Sequence, residues 1–413
     1  MIKFYFIRVF YKITSIAIFC LIAKISFSQN RPFAQSLIDT LSSKAFYGRG
    51  YVNNGDKKAA EFLAHQYSKI GLKSFKKTGF LYEFKFPVVV FDKKCKVKID
   101  NHKLIAGKDF IVNPGCKSIN KRLKLTQIKT LNDYPSKNRR ALFYDTSFRQ
   151  DKNHINQSNK YKLKITLQKK LTWSVAKGYD DVAGIEILNT SFPEKHKKIR
   201  VKIKSRIKQH SASNVIGYIE GHEVKDTFIA ITAHYDHLGM MGNVIFPGAN
   251  DNASGTSMML DLAVYFAKNP PKYSIVFMAF AGEEAGLIGS KHYTDNPLEK
   301  LPLSKIKFLI NLDLMGSGEK GMAVVNATIF PDYFNKIQSI NKDKNYLSGF
   351  KVRGKAANSD HYWFTERGVK CFFFYLMGSY SHYHDINDTA ENLKLGEYYD
   401  KSFLLIKDFI LSI

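Results

Sequence analysis

In the second half of this 413-residue chain, apolar runs of strand length end, one after another, in residues that hold metals or move protons. Residues 227–233 run into His234-Tyr235-Asp236-His237, and 273–280 run through Ala281 into Gly282-Glu283-Glu284. Residues 306–312 run into Asp313, and 369–376 lead through a short loop to His382-Tyr383-His384. Between the first two runs stands Gly248-Ala249-Asn250-Asp251-Asn252, directly before a helical pattern over 254–267. Buried strands alternating with amphipathic helices predict an α/β fold, a mixed central sheet covered by helices on both faces. Ligands of open α/β sheets bind outside the carboxyl ends of the strands, where these side chains fall.

Each of these residues has an ordinary explanation when taken alone. Asp251 before a helix reads as a cap, and acidic residues such as Glu283 and Glu284 are favoured at a helix N-terminus by the dipole. His234, Asp313 and His384 read as strand-end or loop residues. Together they point to metal, because adjacent carboxylates at the end of a buried strand are costly without a positive partner. Imidazole and carboxylate without thiolate suit zinc, with manganese or cobalt as substitutes. Two histidines and three carboxylates exceed the need of one tetrahedral ion and suit two Zn2+ ions if one carboxylate bridges.

The rest of the chain divides by pattern. Lys3, Arg8 and Lys12 precede an apolar stretch over 13–23, and Ser26-Phe27-Ser28 resembles a small-x-small cleavage site. Residues 1–28 are therefore expected to be a secretory signal peptide, which predicts a periplasmic or extracellular protein, with an uncleaved anchor as the alternative. No later segment has the unbroken apolar length of a membrane span. Residues 29–84 carry two helical patterns. The second has Asp56 as its expected N-cap, Ala59, Leu63, Tyr67 and Ile70 on one face, and Gly71 as terminator. From 85 to 210 short β-like runs stand among Lys- and Asn-rich connections, which predicts an inserted, mostly β module. Residues 211–413 form the catalytic part, closed by a helix with Tyr399, Phe403, Ile406 and Ile410 at helical spacing.

The hydrophobic content of 45% excludes a disordered protein. The net charge of +27 raises the question of a polyanionic partner. Its lysines are scattered among Ile, Asn, Phe and Tyr without an Arg-rich block, so they read as compositional bias and no nucleic-acid partner is expected. Without the signal, Cys95, Cys116 and Cys371 remain, with no CxxC spacing. Cys95 and Cys116 could pair if exported, and Cys371, inside an apolar run, reads as a buried thiol.

The combination His234-Tyr235-Asp236, Gly248–Gly255 (GANDNASG), Gly282-Glu283-Glu284, Asn311-Leu312-Asp313-Leu314-Met315 and Tyr383-His384 followed by Asp388-Thr389 resembles the metal-site motifs of zinc aminopeptidases of peptidase family M28, in order and spacing. The resemblance is strong over about 214–392 and weaker over 31–75. It implies a zinc aminopeptidase-like fold and a peptide substrate, and it carries residue roles. Asp251 would bridge two zinc ions, with His234 and Asp313 completing one and Glu284 and His384 the other. Glu283 would be the general base, Asp236 would orient His234, and Tyr383 would stabilise the oxyanion. The Asp251–Asn252 peptide would be cis. Ser359-Asp360-His361 matches a further family motif, read equally as buried polar support. The inserted module stands where the family often has a protease-associated domain, although only 183–188 faintly echo one. Carboxypeptidase-like chemistry, with Arg353 or Arg367 gripping a carboxylate, glutaminyl cyclase-like chemistry on one zinc, and a metal-free binding protein are the alternatives. Oligomeric state and side-chain preference are not legible.

Overall fold

A computed structural model describes residues 29–413 except 92, 130–132, 134–139 and 146–160. The expected signal peptide over 1–28 lies outside the described residues. The principal sheet has eight strands: β1 (Leu81–Val90), β2 (Arg206–Ile219), β3 (Val224–His234), β4 (Tyr273–Phe280), β5 (Ile306–Leu312), β6 (Met322–Val325), β7 (Phe350–Val352) and β8 (Cys371–Leu376). They lie in the order β1-β2-β4-β3-β5-β8-β6-β7. The centre, β4-β3-β5-β8, is parallel. Parallel pairing puts the C-terminal ends of these four strands on one edge, and the flanking pairs β1-β2, β2-β4 and β8-β6 are antiparallel. The mixed α/β class read from the sequence is therefore the observed one.

Successive strand side chains point to opposite faces, so runs apolar at every position bury both. On one face Ile229, Ile231, Ala233, Ile275, Phe277, Phe308 and Ile310 pack under helices α1 (Arg31–Leu41), α2 (Gly55–Ile70), α3 (Gly255–Lys268), α5 (Pro331–Lys344) and α7 (Glu397–Leu411). On the other, Phe228, Ala230, Val276, Met278, Phe280 and Leu309 meet Tyr293 of α4 (Ile288–Asp295) and Phe364 of α6 (His361–Glu366). Burying each of the larger side chains stabilises by about 1.5–3 kcal/mol. Gly71 ends α2 at φ +91°, a left-handed conformation that favours glycine. Asp56 is not the cap of that helix. Asn54 takes the N-cap position, while the Asp56 carboxylate lies buried in the first turn, 2.5 Å from Nε2 of His210.

Within the stretch read as an insertion, a second eight-stranded sheet occupies residues 96–203. Its order is His102–Leu104, Lys96–Ile99, Lys198–Ile203, Ile119–Gln127, Arg140–Asp145, Leu163–Gln168, Ala183–Leu188, Phe110–Val112. Residues 86–90 and 206–210 pair with each other in the principal sheet. The core of the second sheet also takes in Leu238, Met241 and Phe246 from the hairpin that follows β3. The ring of Trp173 stacks on Phe246 with centroids 4.6 Å apart, and its Nε1 donates to the Val112 carbonyl. Cys95, Cys116 and Cys371 are free and buried, so the first two do not pair, and burial pushes each thiol up to about 12. Among the described residues no helix is long and apolar enough to cross a membrane.

Candidate metal centre

The parallel strands deliver the predicted residues to one place. His234 ends β3, Glu283 and Glu284 follow β4, Asp313 follows β5, and His384 stands in the loop after β8. Asp251 enters from the irregular turn before α3, and the peptide between it and Asn252 is cis. Two three-residue groups form around it, His234 with Asp251 and Asp313, and Glu284 and His384 with Asp251, the latter joined by His237. Glu283 offers an oxygen within 4.8 Å of His234 and Glu284. Tyr383 stacks on the ring of His384 at 3.8 Å between centroids and keeps 47% exposure at the mouth of the site.

The spacing between the donor atoms shows which of them could share an ion. Donors about 2.0–2.2 Å from a tetrahedral zinc lie about 3.3 Å from one another. His234 Nε2 is 3.4 Å from Asp251 Oδ1 and 3.3 Å from Asp313 Oδ2. His384 Nε2 is 3.0 Å from Asp251 Oδ2 and 3.4 Å from Glu284 Oε2. Asp251 thus turns one oxygen to each histidine. Asp313 Oδ1 is buried without a hydrogen-bond partner, an expensive state that a cation relieves. The donor set fits a pair of zinc ions. His237 differs, because its Nδ1 sits 2.7 Å from Glu284 Oε1, a hydrogen-bond distance, and 3.9 Å from Asp251 Oδ1.

Both histidine rings are oriented by main-chain carbonyls. Nδ1 of His384 donates to the Trp173 carbonyl at 2.8 Å, and the Trp173 N–H donates back to the His384 carbonyl at 3.0 Å. Nδ1 of His234 lies 3.1 Å from the Asp236 carbonyl oxygen, while the Asp236 carboxylate is 3.8 Å away. Each outer nitrogen is occupied, so each Nε2 faces inward as a ligand must. The Asp236 carboxylate instead accepts from the Tyr51 hydroxyl at 2.5 Å and from the N–H groups of Glu283 and Glu284 at 3.3 and 3.4 Å. It therefore holds the backbone of the two glutamates. Burial raises it to about 6.

The electrostatics describe a hole built for positive charge. Burial lowers the His384 imidazolium, but Glu284 and Asp251 outweigh it and push the ring up to about 11. His234 is raised in the same sense by Asp313 and Glu283 against burial. Burial raises Glu284, yet His384 and His237 hold it well below the usual carboxylate range. Glu283 moves the other way, driven up by burial and by Glu284, Asp360 and Asp313 against the pull of His234. Of two adjacent glutamates, one is held ionised and its neighbour is held ready for a proton.

Several supporting residues are not readable as such in the sequence. Arg49, fully buried in the loop before α2, points every donor of its guanidinium at carbonyls. Nε bonds Tyr235 at 2.7 Å, Nη1 bonds Leu41 and Pro247 at 2.9 and 2.7 Å, and Nη2 bonds Gly248 and Asp251 at 2.7 and 3.3 Å. Burial lowers it to about 10. Asp388 accepts from the N–H groups of Asn250 and Asp251 at 2.8 and 3.1 Å and from the Tyr380 hydroxyl at 2.7 Å. Gly248 sits at φ +65°, and a Cβ there would lie 2.2 Å from the Asp251 carbonyl oxygen. The available signals were the Gly-Arg-Gly triplet at 48–50, the fourth residue of His234-Tyr235-Asp236-His237, and Asp388 after the last histidine. Ser359 supports Asp313, donating to its Oδ2 at 3.3 Å while accepting from Asn311 at 2.8 Å. Asp360 is buried and raised to about 7 by that burial, and burial lowers His361 to about 3.

Residues 214–406 match the model of peptidase family M28. An aminopeptidase of Bacillus subtilis is 33% identical over 192 residues, 46% of this chain and 40% of that one, so the chain spans two fifths of that relative's length. The solved structure of a zinc aminopeptidase from Bacillus subtilis superposes with a TM-score of 0.71 at 20% identity, covering 94% of this chain and 96% of that one. A glutaminyl cyclase from Tannerella forsythia superposes with a TM-score of 0.52 at 14% identity, covering 94% and 99%. The two superpositions share the fold across different named activities, so the donor set, not the fold, must decide the chemistry.

Proposed function

We propose, from the membership of residues 214–406 in peptidase family M28, that this chain is a metal-dependent exopeptidase removing N-terminal residues from peptides. The observation that carries the reading is the pair of donor groups sharing Asp251, each spaced for a tetrahedral ion. His234 and Asp313 would hold one zinc and Glu284 and His384 the other, with Asp251 offering an oxygen to each group. Bound zinc supplies Lewis-acid polarisation of the scissile carbonyl and acidifies water toward a pKa of about 7.

The remaining chemistry belongs to the side chains. Glu283, with an oxygen close to His234 and Glu284, takes a proton from the attacking water and returns it to the leaving amine. Tyr383 keeps its hydroxyl proton, because burial and the nearby carboxylates of Asp251 and Glu284 raise it. It can therefore donate a hydrogen bond to the developing oxyanion. Asp236 holds the glutamate backbone, so base and ligand keep their relative positions. The pattern over 1–28 supports export of the mature enzyme.

The test combines metal analysis with free-amine, N-blocked and N-terminal glutaminyl peptides. Two zinc ions per chain and hydrolysis confined to free-amine substrates are expected. Cyclisation of glutaminyl peptides on a single ion, or cleavage from the C-terminus, would overturn the reading. Glu283→Gln is expected to retain both ions and lower kcat by about 10²–10⁴-fold. Parent-like turnover in that variant would remove Glu283 as the base.

A further inference from the structure

The lysines that look dispersed along the sequence do not stay dispersed in the fold. In the second sheet, Lys96–Ile99, Ile119–Gln127 and Lys198–Ile203 alternate basic and apolar residues. Their register turns the alternation into a surface. Lys103 pairs with Lys98, Lys98 with Arg200, and Arg200 with Arg122, so four cations stand in a row across four strands. On either side, Lys96 pairs with Lys202 and Lys198 with Lys124. All eight are exposed, while Val97, Ile99, Ile199, Val201 and Leu123 on the opposite face are buried. Among the described residues none of the eight is ion-paired.

Like charges directly opposite one another destabilise a sheet. Lysine on an edge strand blocks unwanted pairing, but Lys198–Ile203 is flanked on both sides and needs no such protection. We propose that this basic face is a docking surface for a membrane bearing acidic lipid headgroups, a role independent of the peptidase reading. Same-face residues on neighbouring strands lie about 4.8 Å apart and along a strand about 6.7 Å apart, a flat lattice of charge. Six of the eight are lysines, which act as point charges where arginine would favour bidentate phosphate recognition. No aromatic side chain interleaves the rows, whereas single-stranded nucleic acid is held by stacking. Two residues beyond Lys103 stands Ile105, 57% exposed, an apolar side chain suited to a bilayer boundary.

The experiment is co-sedimentation of the full chain with vesicles of mixed phosphatidylcholine and phosphatidylglycerol, with pure phosphatidylcholine as the second arm. Binding to the acidic vesicles alone, released by high salt, is expected. Lys98→Gln, Arg122→Gln and Arg200→Gln together should weaken it at least tenfold. The same charge removed elsewhere, by Lys336→Gln, Lys342→Gln and Lys344→Gln on α5, should leave it intact. Equal loss in both triple variants would mean that net charge, not this face, binds, and undiminished binding by the first would also overturn the proposal. Tighter binding to an RNA or DNA duplex than to the vesicles would overturn the lipid assignment. Arg200→Glu alone supplies a second variant if the triple does not fold.

Discussion

The principal sheet gathers its polar chemistry at the ends of strands, whereas the second sheet spreads its charge over a face, and the two settings make opposite demands. Around the strand ends the supporting groups have fixed partners: Asp236 has Tyr51 and the glutamate backbone, His384 has Trp173, and Arg49, from the loop before α2, has carbonyls. On the basic face none of the eight cations is ion-paired among the described residues, and neighbours repel. A buried polar group left unpaired carries the full desolvation penalty, so the first region should respond sharply to single substitutions. An exposed charge in water is worth little, so the second should respond only when several are removed, or when salt screens them.

The largest effect is expected at Arg49. Replacing it with Met would strand the carbonyls of Leu41, Tyr235, Pro247, Gly248 and Asp251, the last being the residue common to both candidate donor groups. Each buried acceptor left without its donor costs about 1–3 kcal/mol. Arg49→Met is expected to lower Tm strongly and lose metal, and Arg49→Lys, with fewer donors in a different geometry, to fall between. Thermal melts with zinc stoichiometry would check this. Parent-like values in Arg49→Met would show that the carbonyls find other partners.

A smaller effect separates support from ligation at His237. Outer-sphere partners of metal ligands typically contribute about 10–100-fold in affinity. His237→Phe, which frees Glu284 Oε1, is expected to weaken zinc binding by that factor without changing the number of ions. Chelator competition would measure it. Loss of one ion altogether would make His237 a ligand and overturn its assignment as a hydrogen-bond donor.

The same contrast governs how much of the molecule could be read before its structure. His234, Glu284 and Asp313 were legible because the parallel strands advertise themselves as unbroken apolar runs that end at or just before them, and Asp251 and His384 because short polar motifs stand between or beyond those runs. Arg49 and Trp173 were not, because their work is done on main-chain carbonyls, which carry no sequence signature. Strands Ile119–Gln127 and Leu163–Gln168 escaped for another reason. In Ile119–Gln127 the polar run Asn120-Lys121-Arg122 breaks the alternation, so its period-2 signal resembled a basic loop, and Leu163–Gln168, which does alternate, is short and lies between Lys-rich connections. The basic face, to which Ile119–Gln127 contributes, depends on register, which pairs residues about 80 positions apart, as in Arg122 with Arg200. Sequence proximity gives no hint of it.

The smallest effect has the opposite sign from the others. Arg200 lies between Lys98 and Arg122 on neighbouring strands, so its charge is opposed on both sides. Reversing it with Arg200→Glu replaces two repulsive cross-strand pairs with attractive ones, each worth about 0.2–1 kcal/mol. The variant is expected to melt slightly higher than the parent at low salt, with the gain fading as salt rises, and to bind acidic vesicles more weakly. An unchanged or lower melting point in Arg200→Glu would mean that the eight cations do not repel, and the argument that they are held together for a partner would lose its energetic basis.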